Sequence, residues 1–252
     1  MMLRFATPAL LGLTLTAAPV AALDLDALND TERAAFGEQV RSYLLENPEV
    51  LLEAFQILEQ RQAEAEAMAD QQLVAANADE IFDDGFSWVG GNPEGDVTVV
   101  EFMDYRCGYC RRAVPEVAQL LEMDDNIRFV IKEFPILGDA SMMSSRFAVA
   151  TKQVAGDAAY KQVHDALMEF GGEIGDVALR RLAEGLGLDP EPILARMDSD
   201  EVTEEIAQTH ALAQRLQISG TPSFVMGDQL MRGYMTADQM LDIVEAIRAE
   251  RE

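Results

Sequence analysis

Val97-Thr98-Val99-Val100-Glu101-Phe102-Met103-Asp104-Tyr105-Arg106-Cys107-Gly108-Tyr109-Cys110-Arg111-Arg112-Ala113-Val114-Pro115 contains both cysteines of the 252-residue chain. Val97 to Met103 is β-branched and apolar and reads as a buried central strand, and the residues after Cys107 have helical character. Two intervening residues let the sulfurs meet in a small disulfide ring. A helix beginning there aims unpaired N–H groups and its positive end at the first sulfur. Free cysteine titrates near about 8.5 and C-x-x-C thiols at helix starts near roughly 3.5 to 7.5, so Cys107 is expected to be largely thiolate at neutral pH. Thiolate is the attacking form. Cys110, one turn further in, is the natural resolving thiol.

Other uses of the pair fit less well. A zinc site needs two more ligands, and His164 and His210 are the only histidines and match no finger spacing. A structural bridge over two residues closes too short a loop to remove much unfolded-state entropy. Redox chemistry is the reading that remains.

Glu101 to Cys110, Pro115, and the downstream Thr221-Pro222-Ser223-Phe224 together resemble the thioredoxin superfamily, specifically its DsbA-like branch, over a match running from about Phe86 to the C-terminus. The resemblance implies an α/β thioredoxin-like domain over residues 83–252 with a helical insertion at about 138–217. An N-terminal helical region, residues 23–82, precedes it. The resemblance also implies that Pro222 is cis and faces the cysteines, and that Thr221 offers backbone groups to an extended client chain. Gly108 and Tyr109 join Thr221 and Pro222 as substrate-binding residues. Glu101, six positions before the first cysteine, matches an acidic residue that manages the proton of the second cysteine. No dissociable cofactor and no metal are expected, since the Cys107–Cys110 pair is itself the redox group.

Met1 to Ala22 reads as a signal peptide, with Arg4 at its start, an apolar core from Ala9 to Ala18 and Val20-Ala21-Ala22 before the cut. The apolar stretch is short of the roughly 18 residues a membrane anchor needs. Export to the periplasm is therefore expected. The net charge of −26, one unit more negative without Arg4, argues against nucleic acid and anionic lipid as partners. It also suits solubility or a salty habitat, and leaves room for a preference for basic clients. A composition 49% apolar is enough to bury one or two cores.

Asn29-Asp30-Thr31-Glu32 offers a helix start and Asn47-Pro48-Glu49 a second, with a break between the two helices. Val40, Tyr43 and Leu44 form one apolar face, and Leu51, Phe55, Leu58, Ala65 and Met68 a stripe on the next helix. Beyond Leu58 the helix is rich in Glu, Gln and Ala, so it is expected to run in solvent or to associate with copies of itself. Val40 to Leu51 resembles the N-terminal region of ScsC-type proteins, a DsbA-like group in which this part can drive oligomerisation. An arm folded back on its own domain is the alternative.

Phe86 to Val89 is expected as a short edge strand between two turn clusters, Ile127 to Phe134 as the next strand and Gln229 to Gly233 as the last. A carboxylate in the apolar run at Glu101 needs a reason: a desolvated acid with a raised pKa, a side chain facing solvent, or a partner for Lys132. Within the insertion Met142, Met143, Phe147, Ala150 and Val154 form one stripe, Tyr160, Val163, Leu167 and Phe170 a second, and Val202, Ile206 and Leu216 a third. His164 and His210 are expected as core or cap residues. Met142 and Met143 also invite a copper(I) reading, though their spacing suits core packing. Thr236 caps a final helix through Ile247.

The expected function is thiol–disulfide exchange on exported thiol- or disulfide-containing proteins, with a membrane redox partner. Direction stays open. The Gly-Tyr dipeptide and the threonine before Pro222 resemble DsbC-type isomerases, and the helical insertion resembles oxidases. Isomerase or reductase work is favoured, with a dithiol oxidase or a copper(I)-binding protein as alternatives.

Overall fold

The computed structural model describes residues 28–251, so the expected signal peptide lies outside the described residues. Two compact units divide between Gln60 and Arg61. In the first, Asn29 and Glu32 form a capping box that starts α1 (Asp30–Glu46). Asn47 ends it by turning both its side-chain amide and its backbone N–H onto Tyr43 O, and Pro48 directly precedes α2 (Glu49–Ala76). No side chain of α1 is buried, and Phe36, Val40, Tyr43, Leu51, Phe55 and Leu58 are exposed.

The second unit is built on a five-stranded sheet. Its order is β1 (Trp88–Gly91), β3 (Ile127–Glu133), β2 (Val97–Met103), β4 (Ser223–Met226), β5 (Gln229–Arg232). β2 and β3 are parallel and the other pairs antiparallel. The parallel pair needs a crossover, supplied by α4 (Gly108–Met123). β2 is buried on both faces, which is why it reads as a continuous apolar run. Val97, Val99 and Met103 pack with α4 and α10 (Ala237–Ala249), whereas Val100 and Phe102 pack on the opposite side with Val74 and Ile81.

The edge strand begins two residues later than Phe86, because the Asp84 carboxylate accepts from the N–H groups of Phe86 and Ser87 and holds them in a turn. The same carboxylate meets Lys132 Nζ at 2.5 Å, and Lys132 also donates to Glu80 O. Residues 61–82, read from the sequence with the N-terminal helical region, supply Val74 and Ile81 to this core. The end of α2 is therefore not wholly solvated: Arg232 makes a two-pronged pair with Asp70, at 2.7 and 2.8 Å.

The helical insertion comprises α5 (Asp139–Ala155), α6 (Asp157–Glu169), α7 (Asp176–Gly185), α8 (Pro190–Arg196) and α9 (Asp200–Arg215). Phe147, Ala150, Tyr160, Val163, Leu167, Val202, Ile206 and Leu216 are buried. Val154 departs from its expected stripe, at 41% exposed, since α5 ends one residue later at Ala155, before Gly156, whose φ of +82° no helix accommodates. Thr236 and Gln239 form the capping box of α10. Among the described residues no helix is long and apolar enough to cross a membrane.

Candidate active site

Cys107 is the N-cap of α4, so the first turn points its free N–H groups at the thiol. The Cys110 N–H lies 3.4 Å from Cys107 Sγ. Both cysteines are free thiols; Cys107 is 7% exposed and Cys110 fully buried. The Cys107 S–H donates to Thr221 O at 3.1 Å, across 114 residues of sequence. The Thr221–Pro222 peptide bond is cis, and Thr221 is half-buried against the first sulfur. Gly108 and Tyr109 complete the rim. Tyr109 is 57% exposed, with the Arg112 guanidinium 5.0 Å above its ring. Pro115, inside α4, removes one N–H from the helix ladder beyond the cysteines.

Glu101 lies on the central strand opposite Ile131 and Phe224, 5% exposed, and its Oε1 has no hydrogen-bond partner. It neither faces solvent nor pairs with Lys132, which is held by Asp84. Burial pushes the Glu101 carboxyl up to about 8. The Cys110 thiol is pushed well above its ordinary value by burial and then by the Glu101 charge, so acid and thiol sense one another. A buried acid that ionises near neutrality beside a buried thiol can take a proton that the thiol would otherwise keep. The structure thus brings Cys107, Cys110, Thr221 and Pro222 together at one end of the sheet, with Glu101 behind them and Gly108 and Tyr109 in front.

Asp104, which the sequence did not single out, organises this end of the molecule. Its fully buried carboxylate accepts from Arg106 N at 2.7 Å and Ser141 Oγ at 2.8 Å through Oδ1. Oδ2 accepts from Ile136 N at 2.8 Å and Leu137 N at 3.0 Å. Its carbonyl takes the Cys107 N–H at 3.1 Å. One residue thereby fixes the approach to Cys107 and the loop after β3. The only sequence signal for it is an acid placed directly after a buried strand. His164 is buried and His210 lies against Phe134. Met142 and Met143 pack against the core.

Residues 98–248 match the family model described as a DSBA-like thioredoxin domain, and residues 32–65 match that of the copper resistance protein ScsC N-terminal domain. A thioredoxin-like oxidoreductase from Silicibacter pomeroyi DSS-3 is 46% identical, covering 68% of this chain and 97% of its own, with a TM-score of 0.64. Proteus mirabilis ScsC in a transitional conformation is 25% identical over 88% of this chain and all of its own, with a TM-score of 0.65. The Na(+)/H(+) antiporter NhaA 3 of Salinispora tropica is 32% identical over 145 residues, 58% of this chain, and the match spans 22% of that protein's length. The N-terminal helices and the catalytic unit therefore both have counterparts in ScsC and DsbA-like oxidoreductases, and the chain belongs to the DSBA-like thioredoxin domain family.

Proposed function

We propose that this protein exchanges thiols and disulfides with exported proteins in the periplasm, using Cys107 and Cys110 in place of any dissociable cofactor. The observation that carries the reading is the buried pair itself: Cys107 at the cap of α4, 3.1 Å from the Thr221 carbonyl, with Glu101 buried behind Cys110. The Cys107 thiolate attacks a client disulfide, forming a mixed disulfide and releasing one client sulfur as thiolate. Glu101 takes the Cys110 proton. Cys110 then attacks the Cys107 sulfur, the bond to the client breaks, and the second client thiolate leaves. Thr221, beside Pro222, offers its backbone to the client chain, while Gly108 and Tyr109 form the wall over which that chain passes.

The direction we infer is isomerisation or reduction, in an oligomer joined through the exposed apolar faces of α1 and α2, with a membrane protein resetting the pair. The test is equilibration of the mature chain with a glutathione buffer. A measurable potential is expected, poised between those of strong oxidants and strong reductants. Cys107→Ser abolishes exchange, and Cys110→Ser accumulates a mixed disulfide with a client. A pair that fails to equilibrate with glutathione removes the reading, and a strongly oxidising potential turns the direction to that of a dithiol oxidase.

A further inference from the structure

A further buried carboxyl stands at the end of β3. Glu133 is 7% exposed, and its Oε1 accepts from two phenols, Tyr105 Oη at 2.6 Å and Tyr160 Oη at 2.7 Å. Its Oε2 has no hydrogen-bond partner. Tyr105 gives its proton to Glu133, so His164 Nδ1, 3.2 Å from Tyr105 Oη, extends the chain as a donor in the tautomer that carries its proton on Nδ1. A chain of donors thus runs from His164 through Tyr105 to Glu133, and Tyr160 closes on the same oxygen from the other side. The four side chains come from three separate places: Tyr105 from the segment between β2 and α4, Glu133 from β3, and Tyr160 and His164 from α6 of the insertion.

Tyr105 stands two residues before Cys107 and is gripped at its backbone as well. Its carbonyl accepts from Arg111 Nε at 3.0 Å, and Arg111 directly follows Cys110. The same guanidinium reaches Phe170 O at 2.8 Å. Residues on both sides of the Cys-Gly-Tyr-Cys turn therefore converge on Tyr105. Tyr105 is thus the residue through which that turn and the Glu133 carboxyl are in contact.

We propose that Glu133 is a positioning residue for the thiol pair, and that its protonation is linked through Tyr105 to the redox state of Cys107 and Cys110. The proposal rests on the exchange reading above. An ionised Glu133 accepts from both phenols. A proton taken up by the unpartnered Oε2 leaves Oε1 a neutral carbonyl oxygen, which accepts from both phenols more weakly than the charged carboxylate does, so the hold on Tyr105 slackens. The two protonation states thus hold Tyr105 with different strength. By reciprocity, if the redox state changes how tightly Glu133 holds its proton, that proton changes the redox equilibrium by the same factor.

The proton has its own way in. A cavity of about 20 Å³, room for one water, is lined by Glu133, Tyr160, Trp88, Lys152 and Glu205, so exchange with solvent need not pass the sulfurs. The groups around the carboxyl are Asp104 before α4, Ser145 and Lys152 on α5, Tyr160 and His164 on α6, and Glu205 on α9, and Glu101 on β2 acts on Tyr160 through its charge. Burial pushes Glu133 up to about 7, against the pull of its phenol donors, whereas burial pushes His164 down to about 4. His164 therefore stays neutral while Glu133 changes charge.

Infrared difference spectra of the whole mature protein, wild type minus Glu133→Gln, isolate the carboxyl band of Glu133 in the dithiol and disulfide forms. The band is expected to titrate near pH 7 in one form and about one pH unit away in the other, a displacement of the size hydrogen-bond rearrangement gives a buried acid. The potential of the pair bends with pH over the same interval, and E133Q loses the bend. Tyr105→Phe, which cuts the link but leaves the carboxyl, keeps the titration and loses the displacement. Equal midpoints in the two redox forms, a bend that survives in E133Q, or a displacement that survives in Y105F overturns the proposal. Those results, obtained with a pair that still equilibrates with glutathione, leave the exchange reading standing; a pair that does not equilibrate defeats that reading instead.

Discussion

A carboxyl buried without a partner in the middle of a hydrophobic sheet costs stability once it ionises, and Glu101 makes the cost measurable. Unfolded, this side chain ionises above its ordinary value of 4.5; folded, burial keeps the proton on up to about 8. Between those values the native state binds more protons than the unfolded chain, so stability falls as pH rises through that window. Glu101→Gln removes this contribution and is expected to gain on the order of 4 kcal/mol at pH 8 to 9 relative to pH 4 to 5, measured by denaturant unfolding at each pH. Glu133 adds a similar slope up to about 7, which E101Q leaves in place. The same substitution should slow the second half of exchange, with the mixed disulfide at Cys107 decaying roughly 10²-fold more slowly in quenched single-turnover samples. Equal decay rates in E101Q and wild type would leave Glu101 without a role in moving the Cys110 proton. Glu101 could be picked out of the sequence because a single charged letter interrupts an apolar run. Its lack of a partner could not, since nothing in the sequence says that Lys132 turns instead to Asp84.

Elements meet at the active end through Asp104, which ties the segment before α4 to the loop between β3 and α5. Removing its carboxylate leaves the N–H groups of Arg106, Ile136 and Leu137 and the Ser141 hydroxyl without their acceptor in a buried place. Asp104→Ala is therefore expected to lower stability by about 3–5 kcal/mol in chemical denaturation. Asp104→Asn should be nearly as costly, because its amide presents donors to donors. A loss under about 1 kcal/mol in D104A would mean that the loop holds itself. The strand–turn–helix at Cys107 was legible because its signals are local: apolar run, cysteine spacing and cap lie within a few residues of one another. Asp104 and the Glu133 cluster were not, because each is defined by partners about 30 or more residues away. The end of α2 misled for a different reason. Its Glu- and Gln-rich letters read as solvated, yet Asp70 finds Arg232 on β5 and Val74 enters the core.

Taken as one molecule, the chain shows strong negative charge together with bare apolar side chains on its N-terminal helices, and these have opposite consequences. A net charge of −26 keeps copies apart at long range, whereas Leu51, Phe55 and Leu58, spaced four and then three residues apart, present a seam of the kind helices bury against one another. Screening shortens the reach of the repulsion to about 8 Å at physiological salt and leaves the apolar contact untouched. Association should therefore strengthen with salt. Light scattering of the mature chain is expected to give a multimer at 0.15 M salt and above, and Phe55→Asp with Leu58→Asp a monomer. Both residues are exposed and lie in the first unit, so the substitutions leave the core around Cys107 intact. Exchange with glutathione, a small partner that needs one site, should be equal in multimer and monomer. Isomerisation of a scrambled protein, which requires a client to be held while its bonds are tried in turn, should fall roughly tenfold or more in the monomer, as loss of multivalent holding allows. Wild-type scattering that gives one chain's mass at every salt concentration removes the basis for the multimer. Equal isomerisation by monomer and multimer would instead assign holding of the client to the rim formed by Tyr109 and Thr221.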